Sequence, residues 1–311
     1  MRNRPFTQDR LVSELALGTW GLSGDAYGPV SEAVQDEVIA RARAYGITLF
    51  ETADVYGRGA MEKRLGKLLR GDAEALIVTK VGTDLDGSPT RKRFDAAYLR
   101  EACQRSGERL ERRKIDVLLL HNPSKQTLDR DEATGALMEL KAEGKVGAWG
   151  VSAGSGDVAR AAIARGADVV ELAYNVFSGL DLETLDVSGG RVALLARSVL
   201  AHGLLCGQWT EQRTFPSTDH RAERWTPEQL RGRIKQLSVV TGILGGDVTT
   251  LRAAALRFVL ANPTVSSAVL GPRNRVQLDQ LVREAGSGPE YLAPSQVQQV
   301  RDQLARMGVS R

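Results

Sequence analysis

Little in the sequence would staple, anchor or thread it. Its 311 residues include only two cysteines, Cys103 and Cys206. Their spacing suits neither a disulfide framework nor a metal site, so no metal and a reducing, cytoplasmic setting are expected. No apolar run approaches the roughly 20 residues that span a bilayer, so no membrane partner is expected. The opening stretch from Met1 to Arg10 is polar and has no secretory core. A strong charge excess is missing too. Lys plus Arg total 42 against 38 for Asp plus Glu, a net charge of +4. That argues against a nucleic-acid partner and still suits an anionic small ligand. There is no Gly-x-x-x-x-Gly-Lys-Ser/Thr loop for phosphates and no nucleophile beside a paired base. Linkers and composition shifts are absent, so residues 1–311 are expected to form a single domain.

What is present is alternation. Short apolar runs occur at Leu15–Gly18, Ile47–Glu51, Ala75–Lys80, Asp116–His121, Val146–Val151, Val169–Ala173, Val192–Ala196 and Ser266–Leu270. Amphipathic helical patterns follow most of them, including Gly59–Arg70, Phe94–Arg112, Asp131–Glu143 and Gly156–Arg165. Continuous apolar runs indicate parallel strands buried on both faces, and eight strand–helix units point to a closed (β/α)8 TIM barrel. Two segments break the repeat. His202 to Gly245 is long, polar and rich in Arg and Trp, with an extra helix expected over Pro227–Leu244; Pro294–Met307 reads as a further C-terminal helix.

In such a barrel chemistry collects where the strands end. The second run ends in Glu51, with Tyr56 five residues on; the third ends in Lys80 and the fourth in His121. Each alone has an ordinary reading: a packed loop tyrosine, a solvated carboxylate, a satisfied core histidine. Lys80 is less easily dismissed, because a lysine closing an apolar strand needs a reason. Together they suit one task. A carbonyl receiving hydride needs a proton, which a phenol supplies although its ordinary pKa is about 10. A neighbouring lysine lowers that pKa, a carboxylate holds the lysine, and an imidazole orients the carbonyl oxygen.

The stretch Phe50-Glu51-Thr52-Ala53-Asp54-Val55-Tyr56-Gly57 resembles the signature of the aldo-keto reductases, in which Asp, Tyr, Lys and His form a catalytic tetrad. Ile77–Lys80, Leu118–Pro123 and Leu15–Trp20 are similar to the family's lysine, histidine and first-strand segments. The resemblance runs in order from about residue 11 to 285. It implies a barrel that reduces a small-molecule aldehyde or ketone with NADPH, with Tyr56 as proton donor supported by Glu51, Lys80 and His121. It also implies cofactor contacts from Gly18, Thr19, Trp20, Ser152, Glu171, Arg197, Ser198, Leu200, Gly203, Gly271, Arg273 and Gln277. Arg273 at a helix start is expected to meet a 2′-phosphate. Trp20, Trp209 and Trp225 are expected at the active-site mouth. Several positions depart from the pattern: Glu51 stands for Asp, Ala153 for Asn, Glu171 for Gln, Arg197 for a stacking aromatic and Leu281 for Asn. The departure at Glu51 sustains an alternative, a cofactor-binding barrel with weak or no catalysis that acts as a sensor or accessory subunit. A lyase or isomerase on the same scaffold is disfavoured by the full set of Tyr56, Lys80 and His121.

Overall fold

A computed structural model describes all residues except 8, 88–89, 188–191, 287, 289 and 310–311, and leaves the side chain of residue 180 undescribed. Eight parallel strands close into a barrel. In chain order they are β1 (Leu15–Gly18), β2 (Leu49–Glu51), β3 (Leu76–Val81), β4 (Ile115–His121), β5 (Val146–Ser152), β6 (Val169–Ala173), β7 (Ala193–Arg197) and β8 (Val265–Leu270). Neighbours follow chain order and β8 pairs with β1 to close the ring. All eight apolar runs therefore become barrel strands, with ends that move by one or two residues.

The strands are buried on both faces because side chains alternate between the barrel lumen and the helix layer. Ala16, Leu49, Val78, Val117, Leu119, Ala148, Val169, Leu195 and Val269 fill the lumen, with Phe6 and Val12 beneath them. The same period of two carries inward-facing positions up to the strand ends. On β2 it gives Leu49 then Glu51; on β3, Val78 then Lys80; on β4, Leu119 then His121. On β5 it gives Ala148, Gly150, Ser152; on β6, Val169 then Glu171; on β7, Leu195 then Arg197. One rule of alternation thus points six polar side chains at one mouth.

The outer helices match the amphipathic patterns, at Ala60–Leu68, Ala96–Arg109, Glu132–Ala142 and Gly156–Ala164. The extra helix after β7 is Pro227–Thr241, started by a capping box between Thr226 and Gln229, and the last helix is Pro294–Arg306. Two features escaped the sequence reading. The polar start pairs Asn3–Pro5 with Leu11–Ser13 in a hairpin beneath the barrel, and a second hairpin joins Thr83–Asp84 to Arg91–Lys92 after β3. Both are too short to show periodicity. Among the described residues no helix is long and apolar enough to cross a membrane, and no group of three His, Cys, Asp or Glu could hold a metal ion.

Candidate active site at the barrel mouth

The turn after β2 is built on its neighbour. The Thr52 N–H donates to the Val78 carbonyl at 2.8 Å and the Asp54 N–H to the Lys80 carbonyl at 3.1 Å. Gly57 adopts φ 59° and Gly59 φ 86°, which glycine takes without a Cβ penalty. The Gly57 N–H is held by the Asp25 carboxylate at 2.6 Å. This turn folds Tyr56 back over Lys80, whose ammonium donates to the Tyr56 hydroxyl oxygen at 3.4 Å and to the Thr52 carbonyl at 3.1 Å.

Lys80 is 1% exposed and faces two carboxylates. It is in direct contact with Glu51, and its Nζ lies 3.8 Å from Glu171 Oε2. The longer Glu51 side chain reaches the lysine by lying over Gly18. A Cβ at residue 18 would come within 2.9 Å of Glu51 Oε2 and 2.8 Å of a Val269 methyl. Glu171 accepts the Ser152 hydroxyl at 2.7 Å, and its Oε1 faces Arg197 Nε at 3.8 Å. Arg197 also donates to the Ala153 carbonyl at 2.9 Å. The inner ring is a chain of alternating charge: Glu51, Lys80, Glu171, Arg197.

Burial sets the protonation states. It pushes Lys80 down to about 8, against the pull of Glu171. His121 is driven well below its ordinary value by burial, with Lys80 and Lys92 adding to the effect, so it is neutral. Its ring meets Tyr56 edge-on at 6.1 Å, and Lys92 donates to its carbonyl at 2.8 Å. Tyr56 departs from the expected depression. Burial pushes its phenol well up, and Glu171 adds to this while Arg197 opposes it. The cost of burying a phenolate is the largest influence on this group. The phenol is held in its proton-carrying form.

The expected cofactor residues lie along an arc from this ring through the loops after β7 and β8. Thr19 is fully buried, and the Trp20 ring lies nearly parallel to Tyr56, 26° between planes and 6.5 Å between centres. After β7 the chain turns sharply, with Ser198, Ala201 and His202 at φ 57°, 46° and 59° and Gly203 at 98°. Leu200 begins this turn and accepts the Gly203 N–H at 2.9 Å. Gly271 has open space where a side chain would begin. Gln277 accepts the Arg273 N–H at 2.8 Å at the start of the helix Arg275–Ala285. Arg273 itself differs from a free anion hook. Its guanidinium donates to the carbonyls of Gly21 at 3.3 Å and Gly28 at 2.8 Å, tying the loop after β1 to the loop after β8.

A second group at the mouth joins the expected Trp20, Trp209 and Trp225 to Tyr27, His220 and Arg221, which the sequence does not single out. His220 sits 4.7 Å from both Trp20 and Tyr27, and its N–H donates to the Ala26 carbonyl at 3.0 Å. Arg221 stacks on Tyr27 and pairs with Asp219. Trp225 and Trp209 continue the wall, 5.8 Å apart. For Tyr27, His220 and Arg221 no residue pattern announces the place, because the stretch is aperiodic.

Among the described residues seven side chains carry a buried polar atom with no partner: Thr19, Thr52, Asp54, His121, Glu171, His202 and His220. Thr19 follows β1, Thr52 and Asp54 follow β2, His121 ends β4, Glu171 faces inward on β6, and His202 and His220 lie in the segment after β7. Buried polar atoms left unpaired are costly, so their gathering at one mouth marks a place built for a ligand.

Fold and site together define a barrel oxidoreductase scaffold with a phenol, lysine, carboxylate and imidazole at its mouth. Residues 14–300 match the model of the aldo/keto reductase family, and the chain belongs to that family of oxidoreductases. It is 29% identical over 291 residues to the aldo-keto reductase YhdN of Bacillus subtilis, covering 88% of this chain and 86% of that protein. It is 29% identical over 300 residues to a D-threo-aldose 1-dehydrogenase of Pseudomonas sp, covering 86% and 88%. The solved glycerol dehydrogenase AKR11B4 from Gluconobacter oxydans aligns with a TM-score of 0.79 at 26% identity, over 99% of this chain and 97% of that one.

Proposed function

We propose that the chain, as one barrel domain, is an NADPH-dependent reductase that converts a small-molecule aldehyde or ketone to an alcohol. The observation that carries this reading is the set of unpartnered buried polar atoms gathered around Tyr56 and Lys80. A bound nicotinamide would supply the hydride. Tyr56 gives its proton to the carbonyl oxygen, and burial keeps the phenol in its protonated form beforehand. The Lys80 ammonium, 3.4 Å from the phenol oxygen, stabilises the negative charge left there. Glu51 holds Lys80 in place, and neutral His121 orients the carbonyl oxygen without adding a cation. Thr19, Trp20, Ser152, Glu171 and Arg197 surround the reactive end of the cofactor. Ser198, Leu200 and Gly203 receive its pyrophosphate, and Gly18, at the end of β1 beneath Glu51, borders the reactive end. Gly271, Arg273 and Gln277 take the adenosine phosphate, through those guanidinium N–H groups not given to Gly21, Gly28 and Pro29. The two free cysteines suit a cytoplasmic location.

The test is oxidation of NADPH and NADH by the purified protein with a panel of aldehydes and ketones. Carbonyl-dependent turnover, faster with NADPH at low cofactor, is expected. Tight nucleotide binding without turnover on any carbonyl would favour the sensor or accessory reading that Glu51 sustains. Failure to bind either nucleotide would sink both.

A further inference from the structure

Glu171 is the least explained charge in the molecule. It is 1% exposed, lies on the inward face of β6, and its Oε2 has no hydrogen-bond partner. Its other oxygen already takes the Ser152 hydroxyl at 2.7 Å. The nearest cations stand off at 3.8 Å on either side, Lys80 Nζ at Oε2 and Arg197 Nε at Oε1. Neither distance is a hydrogen bond. A carboxylate needed only to hold Lys80 would duplicate Glu51, which is in direct contact with it. Burying a second one without full pairing is expensive and calls for another beneficiary.

The charge count of the inner ring suggests that beneficiary. Glu51 and Lys80 cancel, Glu171 and Arg197 cancel, and His121 is neutral. An amide at residue 171 would leave the ring with a net positive charge. A site of that kind opposes any ligand group that is, or becomes, cationic.

We infer that Glu171 sets the charge preference of the site for the nicotinamide ring, favouring the oxidised, positively charged form over the neutral reduced one. The inference rests on the proposed cofactor reading. Its geometry follows from the reacting atoms. The carbonyl oxygen must sit within hydrogen-bond reach of the Tyr56 hydroxyl, and the hydride-bearing carbon within about 3.5 Å of the carbonyl carbon. The Tyr56 hydroxyl is 3.4 Å from Lys80 Nζ, which is 3.8 Å from Glu171 Oε2. The carboxylate is therefore separated from the reacting oxygen by two side chains, Lys80 and Tyr56, in a buried site where a unit charge acts strongly. Arg197, half-buried on the mouth side, opposes it and trims the effect. The preference favours carbonyl reduction, the direction in which the ring gains its positive charge.

The test is a set of dissociation constants for NADP+, NADPH, NAD+ and NADH, measured by calorimetry on wild type, Glu171→Gln and Arg197→Gln. The reading is the ratio of oxidised to reduced affinity, which general loosening of the site does not change. Glu171→Gln is expected to weaken the oxidised forms relative to the reduced ones by about tenfold or more, and Arg197→Gln to shift the ratio the opposite way. Should Glu171→Gln fail to fold, the Arg197→Gln ratio decides: an unchanged ratio overturns the inference. Equal weakening of both redox forms in Glu171→Gln also overturns it and leaves the cofactor reading intact. If wild type binds none of the four nucleotides, the cofactor reading itself falls and the inference with it.

Discussion

At the N-terminal end of the barrel, buried Glu14 accepts the Tyr291 hydroxyl and faces Arg4 at 3.5 Å. Arg4 in turn donates to the carbonyls of Leu260, Asn262 and Val265 at 2.6, 3.0 and 2.9 Å. At the C-terminal end Glu171 keeps a bare oxygen, His121 a bare nitrogen and Thr19 and Thr52 bare hydroxyls. The same strands carry both ends, so strand formation does not explain the difference. The lower end is finished as a protein interior. The upper end lacks partners that a ligand could provide. Unpaired buried polarity therefore separates the functional end of this barrel from the structural one more sharply than charge or burial does.

The largest expected effect contrasts two tyrosines, one at each end of the barrel. Tyr56→Phe removes the proposed proton donor and leaves its packing, so turnover should fall by about 10²–10⁴-fold with nucleotide affinity nearly unchanged. Tyr291→Phe removes a hydroxyl of equal standing at the other end and should leave turnover untouched. Steady-state kinetics on one good aldehyde checks both. Wild-type turnover in a well-folded Tyr56→Phe protein would remove Tyr56 from its role.

The reverse contrast is one of stability. Arg4→Met strands Glu14 and frees three carbonyls from their donor, which should cost about 3–5 kcal/mol in urea unfolding while kcat per folded molecule stays the same. A fall in kcat of the same proportion as the loss in stability would mean that the two ends are not separable.

Acid and base dependence sharpens the comparison further. Burial, with Glu62 adding, raises the Asp54 carboxyl to about 7, against about 3.9 in an unfolded chain. Between these values the folded protein keeps a proton that the unfolded chain has released, so stability falls as pH rises through that window. His202, pushed down to about 3 by burial, acts in the opposite sense. Its unfolded form takes up a proton below about 6.5 and its folded form does not, so stability is lost as pH falls from there. Asp54→Asn should therefore stabilise the protein by about 2–4 kcal/mol at pH 8 and not at all below pH 4. It should also expose the histidine's steeper acid loss. Denaturant melts across pH 4–8 measure this, and a gain that is constant with pH would rule out the titration of Asp54 as its source.

The eight barrel strands were legible because continuous apolar runs have few other interpretations, and the strand ends then named Glu51, Lys80 and His121. Tyr56 was legible as a neighbour of Glu51, but its placement over Lys80 was not, since it depends on a turn held by Gly57, Gly59 and Asp25. The loop that brings His220 and Arg221 against Tyr27 was not legible. Its contacts join residues nearly 200 positions apart, and no period in the sequence announces them. The bonds from Arg273 to Gly21 and Gly28 were hidden for the same reason. The upward push on the Tyr56 phenol was not legible, because a nearby lysine is visible in sequence whereas desolvation is a property of the assembled mouth.

The smallest expected effect concerns Glu51. An aspartate is one methylene shorter and would draw its carboxylate back from Lys80, and a displacement near 1 Å in a catalytic site can cost about a hundredfold. Two features limit the loss here. Glu171 stands 3.8 Å from the same ammonium and can hold it in part. Gly18 leaves open the space through which the carboxylate approaches, and that space does not collapse when the side chain shortens, because the backbone of β1 is fixed by its pairing with β2. Glu51→Asp should then change turnover by less than about tenfold, or about 1.4 kcal/mol. Glu51→Ala should cost more, and should also lower stability by stranding Lys80. Turnover and unfolding of wild type, Glu51→Asp and Glu51→Ala on one aldehyde decide the matter. An alanine variant as active as wild type would take Glu51 out of the mechanism. A large gain in the aspartate variant would show that the wild-type mouth is impaired as a catalyst, and would turn the balance toward a nucleotide-binding barrel that uses its site for sensing.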